Sequence, residues 1–100
     1  MSRKRYVLKW TAPAARNLMS IVRFIKRDNP EAARRFGKEV KSKVRRLALF
    51  PLSGRMVPEF SMVTLREVVF REYRIVYRVI PEKKRVEVLT VFHGARDFPF

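Results

Sequence analysis

Between Ala14 and Ile25 the apolar residues fall at Ala14, Leu18, Ile21, Val22 and Ile25, with Arg16, Ser20, Arg23 and Lys26 between them. That spacing follows the 3.6-residue period of a helix with one apolar stripe. Thr11 stands where a capping oxygen is needed, and Pro13 fits the first turn, where a missing N–H costs nothing. Asp28-Asn29-Pro30 ends this helix and starts a second, with Asn29 as cap and Pro30 as the first helical residue. In the second helix Ala33, Phe36, Val40, Val44 and Leu47 share one face. Arg34, Arg35, Lys38, Lys41, Arg45 and Arg46 share the other. The short connection predicts an antiparallel helical hairpin with one apolar side.

The period changes on either side of the hairpin. Tyr6–Trp10 is a short β-prone run, and residues 50–58 carry the turn formers Pro51, Ser53, Gly54 and Pro58, read as a loop. Leu65–Phe70, Tyr73–Ile80 and Arg85–Phe92 are rich in β-branched and aromatic residues, separated by Arg71-Glu72 and Pro81–Lys84. The order β-α-α-β-β-β predicts a single α+β domain over 1–100. In it the helical hairpin packs on one face of a mainly antiparallel, four-stranded sheet.

Alternation separates the two sides of that sheet. Tyr73, Ile75, Tyr77 and Val79 share one side of their strand, and Arg74, Val76, Arg78 and Ile80 the other. In the preceding strand Arg66, Val68 and Phe70 alternate with Leu65, Glu67 and Val69. Since an antiparallel sheet often leaves one face open, Arg66, Arg74 and Arg78 are expected on the open face. The last strand is apolar on both sides, as a central strand would be, and His93 is expected just beyond its end.

The charge is lopsided. The chain has 24 Lys+Arg against 9 Asp+Glu, a formal net charge of +15. Residues 1–50 hold 15 of these bases and 3 acids, a net of +12, so most of the excess belongs to the helices. A polyanion or an acidic protein is the expected partner. The absence of Cys and the single His93 exclude a disulfide framework and thiolate or multi-histidine metal sites. No apolar run follows Met1–Arg5 and none reaches spanning length, so a cytoplasmic protein without membrane contact is expected.

One constellation has chemical content: arginines on a sheet face with a histidine nearby. Metal-free RNA cleavage needs a base for the 2′-hydroxyl, cations for the phosphorane and an acid for the leaving oxygen. Arginine suits the phosphate, and His93 is the one side chain with an ordinary pKa near neutrality. The plainer alternative is cross-strand pairing of Arg66 and Arg74 with Glu67, Glu72 or Glu87.

An ordered set of motifs resembles the RelE/ParE superfamily of toxins from type II toxin–antitoxin systems. It comprises Trp10-Thr11, Asp28–Ala33, Phe50–Arg55, Val57-Pro58-Glu59, Leu65-Arg66-Glu67, Tyr73–Val79 and Val91–Arg96. The resemblance implies a cytoplasmic, plasmid-stabilising type of toxin that inhibits growth and is neutralised by a cognate antitoxin. RelE-like members are RNA-binding, metal- and cofactor-independent endoribonucleases that cleave mRNA on the ribosome; ParE-like members inhibit DNA gyrase without catalysis. On the first pattern Arg66, Arg74 and His93 are the catalytic candidates, with Arg55, Arg78 and Arg96 binding phosphate. Val68 replaces the second basic residue of the RelE-like strand, and Gly94 the tyrosine that follows the YoeB-like histidine. The ribonuclease is the expected activity, with gyrase inhibition as the alternative and plain nucleic-acid binding as a third.

Overall fold

The computed structural model describes residues 5–95. Strand β1 (Val7–Trp10) is followed by α1 (Ala12–Lys26), α2 (Pro30–Arg45) and a 3-10 turn, Arg46–Ala48. Strands β2 (Arg55–Met56), β3 (Leu65–Phe70), β4 (Tyr73–Ile80) and β5 (Arg85–His93) complete it. The sheet order is β1-β5-β4-β3-β2, with β1 parallel to β5 and every other pair antiparallel. The expected α+β class and hairpin are present. The sheet has five strands rather than four, because the loop after α2 touches the edge of β3 for two residues at Arg55 and Met56.

Both helix starts follow from their caps. Thr11 Oγ1 accepts the Ala14 N–H and also donates to the Val88 carbonyl at 2.8 Å, which ties the start of α1 to β5. Asn29 Oδ1 accepts the Ala32 N–H at 3.1 Å. Each cap contributes about 1 kcal/mol. The apolar stripes then meet the sheet: Ala14, Leu18, Phe36, Val40 and Val44 pack against Phe70, Ile75, Val88 and Val91. Phe36 is the aromatic hub, with ring centroids 5.5 Å from Phe70 and 5.2 Å from Tyr73. Leu47, Tyr77, Val79 and Val86 extend this layer past the end of α2.

Strand β5 carries one residue more than β4 at the shift between Val76 and Tyr77, which leaves Leu89 bulged. Asn17, on α1, meets the disturbed ladder: its Oδ1 accepts from Thr90 Oγ1 and from the Val91 N–H. The other face of the sheet is not open. Val57 lies buried on Val76 and Phe92, so residues 57–63 form a strap over that face.

Candidate functional site: an arginine-stapled strap

The register decides which arginines share a face. Arg66 pairs with Tyr77, and Val68 with Ile75, so Arg66 points to the helix-bearing side. Arg74 pairs with Val69 and Phe92, and Arg78 with Leu65 and Glu87, which places both on the strap side. The expectation that Arg66 and Arg74 share an open face is therefore corrected: they lie on opposite faces. The alternation was read properly within each strand, but the phase between strands was not fixed by it. His93 pairs with Tyr73 on the helix side and is the last residue of β5, not the residue beyond it.

Arg74 is 8 % exposed and fully engaged. Its Nη1 and Nη2 donate to Glu59 Oε2 and Oε1 at 3.0 and 2.7 Å, and its Nε donates to Glu67 Oε1 at 2.6 Å. Its guanidinium also lies 5.3 Å from the centre of the Phe92 ring. Glu67, 1 % exposed, accepts at its second oxygen a hydrogen bond that Arg55 Nε donates at 2.5 Å. Two carboxylates hold Arg74 so firmly protonated that its pKa rises well above the ordinary arginine value. The same contact, chiefly the hydrogen bond from Arg74, lowers the pKa of Glu59 below its ordinary value. The group fastens the strap to the sheet through charge-assisted, bidentate bonds.

Arg66 does a similar job on the other side with backbone acceptors. Its Nε donates to Val63 O at 2.7 Å, and its Nη1 to Gly54 O at 3.0 Å and Leu52 O at 3.3 Å. Beside it, the buried Tyr77 hydroxyl accepts the Gly54 N–H at 2.9 Å and donates to Pro51 O at 2.8 Å. Burial raises the pKa of that phenol. A Cβ on Gly54 would come within 2.6 Å of both Tyr77 Oη and the Glu67 carbonyl, so only glycine fits this turn. At the other end of the sheet, a Cβ on Gly94 would meet Arg74 Cδ at 2.9 Å.

The remaining candidates are dispersed. Arg78 donates to Glu87 at 2.5 Å, and Arg85 donates to the same carboxylate at 3.2 Å. Those two arginines, Arg78 first, lower the pKa of Glu87. His93 stacks edge-on against Tyr73 with centroids 5.6 Å apart, and its Nδ1 accepts the Ala95 N–H at 3.3 Å. It stands two strands and four positions from Arg66, roughly 16 Å by strand geometry. Arg96 lies outside the described residues. The structure thus brings together Arg55 and Arg74, through Glu67, and does not bring together Arg66, Arg74 and His93. Glu59 and Tyr77 are the participants that sequence reasoning passed over. Glu67 was foreseen as a cross-strand partner, and the Gly54 turn that Tyr77 holds was visible as a motif without its partner.

Comparison with known proteins agrees with this architecture. Residues 8–98 match the family described as ParE toxin of type II toxin–antitoxin system, parDE. The Sinorhizobium fredii protein named "Putative toxin Y4kP" is 38 % identical over 101 residues, covering 99 % of this chain and 97 % of that one. Among solved structures, the chromosomal ParDE system of P. aeruginosa is similar in fold, with a TM-score of 0.74 at 22 % identity over 92 % of this chain and 98 % of that one. The RelBE2 toxin–antitoxin complex of Mycobacterium tuberculosis gives 0.66 at 22 % identity, over 92 % and 94 %. By its family match over residues 8–98, this chain belongs to the ParE toxins of type II toxin–antitoxin systems.

Proposed function

We propose that this toxin acts by binding a protein rather than by cutting RNA, with DNA gyrase as the target that ParE membership implies, and that a cognate antitoxin neutralises it. The observation that carries this reading is the engagement of Arg74. A phosphate would have to displace the carboxylates of Glu59 and Glu67, the second of them buried, to reach the guanidinium. Breaking a buried ion pair costs several kcal/mol, and the buried Glu67 would keep Arg55 in place of two arginines. Proton transfer and phosphorane stabilisation also need their groups within hydrogen-bond reach of one reacting centre. Arg66, Arg74 and His93 converge on none.

The antitoxin has a natural seat elsewhere. A groove of about 410 Å³ runs between α1 and α2, floored by Trp10, Leu18, Met19 and Val22 and rimmed by Arg34, Lys38 and Lys41. Apolar floor and cationic rim suit an acidic amphipathic helix.

Purified toxin tested for inhibition of gyrase supercoiling without ribosomes, beside primer extension on translated mRNA, decides the matter. Inhibited supercoiling with intact mRNA is expected, and His93→Ala should still arrest growth. Ribosome-dependent cleavage that His93→Ala abolishes would overturn the proposal and restore the ribonuclease with its ribosome and mRNA partners.

A further inference from the structure

Ten large apolar side chains stand exposed among the described residues, and seven of them lie between Phe50 and Val69. Single exposed apolar residues are ordinary, whereas a concentration of them marks an interaction surface. Leu52, Met56, Met62 and Val63 are 48, 41, 52 and 61 % exposed. They also belong to one place. The Arg66 guanidinium bonds the carbonyls of Leu52, Gly54 and Val63, and Met56 is the cross-strand partner of Arg66. Two loops distant in sequence are thereby held side by side.

The surface is held in shape before any partner arrives. Tyr77 fixes Pro51 to Gly54, Arg66 joins the two loops, and Arg74 grips Glu59 within the strap. Such preorganisation reduces the ordering cost of association. Cations border the surface: a groove of about 620 Å³ next to it is lined by Lys43, Arg46 and Arg55, and its one acid, Glu67, is already bonded to two arginines.

We propose that the loops at 50–54 and 57–63 are the surface with which this toxin grips its target protein. The complementary surface would carry apolar side chains ringed by carboxylates. The chemistry of the surface selects its occupant. Phe50 and Phe60 are the only aromatics among these seven exposed side chains; Leu52, Met56, Met62 and Val63, gathered around Arg66, give nucleobases no stacking platform, which disfavours RNA, while methionines adapt well to apolar protein surfaces. A second copy would bring another +15 to a cationic rim. The antitoxin groove between α1 and α2 is a separate surface. This inference rests on the protein-binding reading above.

The test uses full-length toxin carrying Leu52→Ser and Met62→Ser together, with Phe24→Ser on α1 as a control away from the surface. Four readings are taken: growth arrest on induction, inhibition of purified gyrase, co-purification with the cognate antitoxin, and thermal melting. The double variant is expected to melt and bind antitoxin as wild type does, while both arrest and gyrase inhibition weaken about tenfold or more. Phe24→Ser should leave arrest unchanged. Wild-type arrest by the double variant would overturn the surface, as would loss of antitoxin binding with arrest retained. If wild-type toxin neither inhibits gyrase nor cleaves translated mRNA, gyrase falls as the target and the surface is judged on arrest alone: arrest lost upholds it, arrest kept overturns it, whereas mRNA cleavage overturns the protein-binding reading and the surface with it. Should the double variant melt early, Met62→Ser alone carries the same test with a smaller shift.

Discussion

The two faces of the sheet are covered by different physics. On one, a helical hairpin lays Leu18, Phe36, Val40 and Val44 against Phe70, Ile75, Val88 and Val91, and the layer holds by burial of apolar area. On the other, Val57, Val76 and Phe92 make a much smaller apolar cluster, and a strap is fastened over it by Arg74, Glu59, Glu67 and Arg55. The apolar layer is non-directional and tolerates conservative exchange. The stapled face is directional, because every lone pair it buries needs its own donor. A toxin that presents loops to a target has reason to use the second kind of attachment, since it fixes loop position without consuming the apolar side chains the loops display.

The sharpest way to separate the two regions is to break each at its centre. Phe36→Ala should cost about 3–5 kcal/mol in urea unfolding, through lost burial and the cavity left between Phe70 and Tyr73. Glu67→Ala should cost roughly as much, because it removes one of the two carboxylates that hold the buried Arg74 and the carboxylate that holds Arg55. The repair distinguishes them. Adding Arg74→Leu to Glu67→Met should recover much of the stability, since an apolar pair of similar volume removes the buried charge altogether. If that double change is no better than Glu67→Ala, the staple contributes more than charge compensation.

A smaller effect is expected where the strap side meets the helix side. Tyr77→Phe keeps the buried ring and removes the hydroxyl, leaving Pro51 O and the Gly54 N–H without that partner. About 1–3 kcal/mol should be lost. The loss should appear as faster amide exchange at Gly54, with Val40 and Val88 following only the global change. Uniform exchange across all three would mean that the Pro51–Gly54 turn is not a separate unit.

Most of the hairpin was legible because its signals are local. Thr11 and Asn29 cap where a capping oxygen and a following proline stand, and the 3.6 period of Ala33, Phe36, Val40 and Val44 needs no tertiary information. The strands were legible as runs, and β5 as an interior strand from its apolar residues on both sides. What local pattern does not carry is the phase between strands. Arg66 and Arg74 each alternate correctly, yet one residue of register decides whether they share a face. The strap was hidden for a similar reason. Glu59 lies in a turn segment outside any strand, and its partner is fifteen residues on, in β4. Strand β2 escaped because two residues leave no periodicity to detect.

The weakest test of the contrast is titration. Glu59 is held below its ordinary pKa near 4.5, first by the hydrogen bond from Arg74. A carboxylate with a depressed folded pKa contributes stability that is present above its unfolded pKa and is lost as pH falls through the folded value. Acidification below about pH 4.5 should therefore loosen the strap, while the helix-side layer is held chiefly by apolar burial. Because Glu87 is also depressed, by Arg78 and then Arg85, global stability will fall over a similar range. The readout must be local. Phe60 and Ser61 donate their amides to Val57 O within the strap. Their protection, corrected for intrinsic exchange, should drop relative to that of Val40 between about pH 6 and pH 3. Glu59→Gln should show reduced protection already at pH 6 and little further change on acidification. Equal pH dependence in wild type and variant would mean that the strap is held by Val57 burial alone, and that the ion pair to Arg74 only decorates it.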